Sequence, residues 1–122
     1  MLNAGVFDDF HGATSLLVWG DEEGMAALSA GLMALRDGNH NEWVIDGADT
    51  HLTVCSTSRQ KGCSRLRYEE HGVRWECSHD TIELAAALVE PLLRGAGHQF
   101  LDVTGLADQL IIARDEYPAD LR

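Results

Sequence analysis

Three cysteines and six histidines have the widest chemical range of any residues in this chain: Cys55, Cys63 and Cys77, with His11, His40, His51, His71, His79 and His98. Their spacing limits what they can do. No H-x-x-x-H or H-E-x-x-H occurs, and Cys55 and Cys63 lack the tight C-x-x-C spacing of a structural zinc site. On a strand, His51 and Cys55 share a face but stand two repeats apart, too far to chelate an ion unaided. No metal or cofactor is expected. A thiol nucleophile needs a base within hydrogen-bond reach, so His51, Cys55 and His98 are the polar groups that a pocket between sheet and helices would have to unite. The motifs G-x-S-x-G, G-x-G-x-x-G and G-x-x-x-x-G-K-[ST] are absent, and no nucleotide cradle is indicated. The stretch Ser56–Gly62 mixes hydroxyls, cations and glycine, a composition that suits either a small anion or a solvated loop. Adjacent acids (Asp8-Asp9, Glu22-Glu23, Asp115-Glu116) point to opposite faces on a strand or serve the dipole at a helix start, so none reads as a catalytic acid and base.

The elements that would position these groups follow from hydropathy patterning. Residues 1–12 read as an edge strand or packed arm, and Ser15–Trp19 as a buried strand ended by Gly20. Asp21 is placed to cap a helix whose apolar stripe is Met25, Leu28, Leu32 and Leu35, with Gly38 as its stop. Trp43–Ile45 and Leu52–Cys55 read as two strands joined by Asp46-Gly47-Ala48-Asp49. A polar loop follows over Thr57–Ser64. Asp80-Thr81-Ile82-Glu83 has the capping-box pattern for a second helix, buried through Ile82, Ala85, Val89 and Leu92 and broken near Pro91. Two strands, Gln99–Val103 and Gln109–Ala113, flank a loop over Thr104–Asp108, and order is expected to end near Pro118.

Between these lies R-L-R-Y-E-E-H-G-V-R-W-E-C, Arg65 to Cys77. A hairpin turning at His71-Gly72 would set Glu69 against Arg74, Arg67 against Glu76, Tyr68 against Trp75 and Leu66 against Cys77. That arrangement collects charge on one face and apolar groups on the other. A weak repeat matches Arg36, His40 and Gly47 with Arg94, His98 and Gly105. It is compatible with a duplicated βαββ unit and equally with the shared needs of a helix-to-hairpin connection. The expected fold is a single α+β domain, a largely antiparallel sheet of six to seven strands with two helices on one face.

Net charge is −11, with nine acids and one base over residues 1–50, three acids and five bases over 51–78, and eight acids and three bases over 79–122. Such a balance disfavours nucleic acid and anionic membranes and favours basic partners. No apolar run approaches the ~20 residues of a membrane span. The N-terminus lacks the basic and greasy regions of a signal peptide, and the odd cysteine count argues against a disulfide scaffold. A cytoplasmic location with free thiols is therefore expected. The stretches G-H-Q-F-L-D, R-D-E-Y-P and W-G-D-E-E-G are similar to those of a group of small acidic bacterial proteins, and the size and acidity resemble immunity proteins that neutralise toxins. The resemblance implies binding and brings no catalytic residues. The expected function is thus that of a small acidic, non-enzymatic binding protein, with an immunity-type inhibitor as the form the resemblance implies. Its expected partner is a basic protein, a homodimer is compatible, and the expected contacts are Asp21, Glu22, Glu23, Asp46, Asp49, Asp115 and Glu116. The alternative is a small enzyme or ligand-binding domain built on the Cys/His pocket.

Overall fold

The computed structural model describes residues 1–10, 12–47, 49–57 and 60–116. Ser58 and Arg59 of the expected loop, and the end of order expected at Pro118, lie outside them. In chain order the elements are β1 (Leu2–Phe10), β2 (Ala13–Gly20), α1 (Glu22–Arg36), β3 (Glu42–Asp46), β4 (His51–Ser56), β5 (Ser64–Glu69), β6 (Gly72–Cys77), α2 (His79–Val89), a 3-10 turn (Glu90–Leu93), β7 (Gly97–Asp102), β8 (Thr104–Gly105) and β9 (Gln109–Arg114). The class is α+β, but the expected single sheet of six to seven strands is two mixed sheets, ordered β1-β2-β9-β7 and β3-β4-β6-β5-β8.

Each sheet is built on two antiparallel hairpins joined by a parallel seam, and in the second sheet β8 adds to β5, also in parallel. Along β2 and β9, Leu16 lies beside Leu110, Val18 beside Ile112 and Gly20 beside Arg114. Along β4 and β6, Leu52 lies beside Val73, Val54 beside Trp75 and Ser56 beside Cys77. The chain is therefore ββαββ twice, not βαββ twice, and each half gives one hairpin to each sheet. Hydrogen bonds repeat with the strands. The Asp21 amide donates to Met1 O at 3.2 Å as the Ser78 amide does to Cys63 O at 2.9 Å, and Asp115 N reaches Gly20 O (3.0 Å) as Thr57 N reaches Cys77 O (2.7 Å). By register Ile45 is equivalent to Leu101, not to Val103 as matching His40 with His98 requires.

One core lies between the sheets and helices. It takes Leu16, Val18, Leu110 and Ile112 from one sheet, Leu52, Val54, Leu66, Val73 and Trp75 from the other, and both helical stripes. After their first residues the runs S-L-L-V-W and Q-L-I-I-A are apolar because the first seam is buried on both faces. Leu17, Trp19, Ile111 and Ala113 form a second cluster on its far side, with the Phe7 ring edge-on to Trp19 at 6.1 Å. The strand β6 alternates instead, since its outer face carries charge.

The helix starts differ. Asp21 Oδ1 accepts from Gly24 N at 2.9 Å and caps α1 as its sequence predicts. The Asp80/Glu83 capping box does not form: α2 begins one residue before Asp80, with Ser78 at the cap position. The Asp80 carboxylate instead accepts from Gly62 N, at 3.1 and 3.0 Å. Pro91 opens the 3-10 turn and ends the regular helix.

The central hairpin forms, with Glu70-His71 as its turn rather than His71-Gly72. Glu69 pairs with Gly72, Tyr68 with Val73, Arg67 with Arg74 and Leu66 with Trp75. The expected partners are displaced by two residues, which keeps every side chain on its expected face. Charge complementarity does not fix this register because it is met diagonally: Arg67 Nε still reaches Glu76 Oε1 at 3.2 Å. Gly72 is not in the left-handed region. A Cβ there would overlap the His51 carbonyl, so glycine is needed for the approach of β4. Tyr68, freed from Trp75, is 68% exposed.

Gly31 has a similar role in α1, where a Cβ would overlap the Trp43 indole. Alanine gains ~0.8–1.0 kcal/mol of helix propensity, but forcing a methyl into a filled space costs ~1–3 kcal/mol. Gly31→Ala is expected to lower stability by roughly 1 kcal/mol in urea denaturation. Gly95→Ala, which meets open space, should stay within ~0.5 kcal/mol of wild type. Stabilisation by Gly31→Ala would mean that the indole does not lie on the helix.

Candidate functional site

Two of the seven expected partner-binding acids, Glu22 and Asp115, meet one cation at the end of the first seam, and Asp21, Glu23 and Glu116 are their chain neighbours. The register that puts Gly20 beside Arg114 brings the start of α1, with Asp21, Glu22 and Glu23, next to Asp115 and Glu116. Arg114 contacts Glu22 and Asp115 among them. Its side chain, 13% exposed, donates from Nη1 to Leu92 O at 3.0 Å, while Nε lies 3.3 Å from Asp115 and Nη2 3.8 Å from Glu22. Glu22 and Asp115 remain exposed, and His98 Nδ1 meets Glu116 at 2.6 Å. Asp21 is mainly structural. The Met1 amine at 2.8 Å, then the Gly24 amide, hold its carboxyl below the usual aspartate range. Asp46 and Asp49 sit apart from these five, at the β3–β4 connection where Gly47 packs on Asn3. Asp46 faces His51 Nδ1 at 3.4 Å.

The three expected pocket groups are not united. His98 lies on β7 in one sheet, while His51 and Cys55 lie on β4 in the other. His51 lines a hollow of ≈ 340 Å³ with Asp49, Tyr68, Glu69 and His71. Cys55 is buried on the outer face beneath a lattice of charges centred on Arg74, whose guanidinium meets Glu42 at 3.2 Å and Glu69 at 3.6 Å. Hydrogen bonding to Glu42 raises the Arg74 pKa, and burial pushes the Cys55 thiol up against the pull of Arg74. Burial likewise raises Cys77. Neither thiol is activated by these surroundings.

Lys61, which belongs to the stretch whose composition suits a small anion, is brought by the fold to Arg65 and Asp102, which no sequence signal singles out. With Cys63, Ser64 and Thr104 they line a hollow of ≈ 330 Å³. It shares Gly62, Ser64 and Asp102 with another of ≈ 340 Å³ that runs along Leu84 and Leu88 of α2 and Phe100 of β7. The loop is fastened by Asp80, whose pKa is lowered by the Ser78 hydroxyl and then by the Gly62 amide. Arg114 was equally silent in the sequence, being one arginine among acids.

The chain matches no protein-family model, no curated protein and no solved structure. Among the described residues no group of three or more His, Cys, Asp or Glu is placed to hold a metal ion, and no helix is long and apolar enough to cross a membrane.

Two outcomes follow from the loop and the thiols. Because Asp80 is depressed in the folded state, its clasp is present at neutral pH and is lost as pH falls through that depressed value. The Gly62 amide shift should titrate with a midpoint below the ordinary 3.8; a midpoint at or above it would remove the clasp. Brief alkylation of the folded chain should label half-buried Cys63 first, leaving Cys55 and Cys77 for denaturing conditions. Peptide mass mapping reads the order, and early labelling of Cys77 would contradict the burial described.

Proposed function

We propose that the chain is a non-enzymatic binding protein that presents the acidic end of its first seam to a basic protein partner, in the manner of an immunity-type inhibitor. The observation that carries this reading is the meeting of Glu22 and Asp115, from two distant segments, at one largely buried arginine, with Glu23 and Glu116 next to them in the chain. Carboxylates fixed on a seam raise the local potential and steer a cationic partner, with an effect on on-rate greater than on intrinsic affinity. The reading takes the chain as a single domain acting in the cytoplasm, with Asp46 and Asp49 as a secondary contact. An enzymatic reading has less support, because His98 stands apart from His51 and Cys55 and the raised pKa of Cys55 opposes thiolate chemistry.

The test must spare Asp21, whose cap and ion pair hold the helix start. Glu22→Gln, Glu23→Gln, Asp115→Asn and Glu116→Gln combined remove four charges, and asparagine tolerates the positive φ of 56° at Asp115. Partner capture from source-cell lysate, quantified by mass spectrometry, should fall at least tenfold in this variant and fall with added salt in wild type. Glu22→Asp with Glu23→Asp should retain it. Capture that ignores both the charges and the salt would leave the acidity to solubility alone and end the proposal.

A further inference from the structure

A groove of different character lies on the second half of the molecule. The strand β7 ends its sheet, and the backbone of Phe100–Asp102 makes no hydrogen bond outside the ladder to β9 among the described residues. Such an edge presents unpaired amides and carbonyls that an extended chain can satisfy. Beside it runs α2, and the two contiguous hollows of ≈ 330 and ≈ 340 Å³ lie along the strand edge and the helix. Leu84 is 51% exposed and Phe100 53%, so apolar surface faces solvent on both sides of the groove. In the first half the equivalent place differs: the Trp43 indole covers Gly31 of α1. Register and helix stripe put Gln99 and Leu88 there instead.

Charge fixes the polarity of an occupant. Lys61 and Arg65 line the far end of the groove and form no salt bridge among the described residues; the charge of Lys61 contributes last to lowering the Asp80 pKa, and Asp80 lines the adjoining hollow. Arg65 pairs across the hairpin with Glu76, yet the Glu76 carboxylate goes to Arg67. Asp102 sits at the boundary of the two hollows and disfavours a carboxylate alongside β7 itself, confining negative charge to the Lys61–Arg65 end. The Asp80 clasp on Gly62 holds that end in place.

We propose that this groove takes an extended peptide segment with an acidic end, which adds to β7 as a further strand, seats an apolar side chain against Leu84, Leu88 and Phe100, and sets its carboxylates at Lys61 and Arg65. This surface is separate from the acidic end and stands without it.

The probe is a terminally blocked peptide of alternating valine and threonine ending in three aspartates. Its controls end in three lysines or carry N-methyl groups on alternate residues, which abolish strand addition. With the isotope-labelled full chain, the aspartate probe should shift the amides of Phe100–Asp102 together with those of Lys61–Arg65 and bind saturably by fluorescence anisotropy. The N-methylated probe should not bind. Lys61→Ala with Arg65→Ala should weaken binding at least tenfold, and Lys61→Glu with Arg65→Glu should transfer preference to the lysine-ended probe. No saturable binding, equal binding of the N-methylated probe, or shifts away from β7 would overturn the proposal. So would inorganic phosphate reproducing all the shifts seen with the peptide, which would reduce the site to an anion hook on the loop.

Discussion

The two parallel seams are the constraint on which the rest of this structure depends. A hairpin alone is marginal in water, and neither half of the chain completes a sheet by itself. The seam β2–β9 joins the first hairpin to the last, and β4–β6 joins the two in the middle. The core between them therefore draws its residues from both halves. Ser15 and Gln109 show how closely the seam is matched even where it is polar: Ser15 is fully buried, and the Gln109 side-chain amide donates to its hydroxyl at 2.9 Å. Because the partners of the first seam are nearly a chain length apart, loop closure precedes much of the burial that rewards it, which places folding on the slow side for a chain of this size.

Repetition of the architecture has not meant repetition of chemistry. Asp21 at one helix cap corresponds to Ser78 at the other, and the Met1 carbonyl to that of Cys63. In the first half the cap side chain is a carboxylate that takes up the amine of Met1. In the second, the hydroxyl of Ser78 reaches Asp80 at 2.6 Å, and Asp80 in turn holds a basic loop. The acidic end and the cationic groove are thus built at related places of the two halves, on the same backbone hydrogen bonds.

What was legible in the sequence was whatever depends on near neighbours along the chain. The stripe Met25-Leu28-Leu32-Leu35, the Asp21 cap and the alternation of V-R-W-E-C all read correctly, because period and capping are local. Partition into two sheets was not legible: a strand buried on both faces, such as S-L-L-V-W, carries no mark of which strand lies beside it. The hairpin register failed for a related reason. Direct and diagonal pairing satisfy the same Arg67–Glu76 attraction, and the deciding contact, Gly72 against the His51 carbonyl, belongs to a third strand. For the candidate site, the acids could be named but not grouped, since only the seam register brings Asp115 to Glu22. The same blindness hid Arg114 and left His98 as a candidate companion of Cys55 in the alternative reading, although the fold puts them in separate sheets.

Arg114 shows why grouping matters more than the count of acids. Exposed ion pairs contribute ~0–1 kcal/mol, so its contacts with Glu22 at 3.8 Å and Asp115 at 3.3 Å are weak reasons for the arginine to be there. Its bond to Leu92 O is of another kind, because it ties the 3-10 turn of the second half to the strand end that carries the acids. One cation cannot neutralise Glu22, Glu23, Asp115 and Glu116 together. With its side chain 13% exposed, it lies beneath Glu22 and Asp115, whose side chains stay exposed. Glu22 and Asp115 therefore keep their carboxylates toward solvent with the arginine at their base. Groups held in this way lose less conformational entropy when a partner arrives. At an ionic strength where screening sets in beyond ~8 Å, carboxylates gathered on one seam act together, whereas the same charges spread over the surface would each be felt alone.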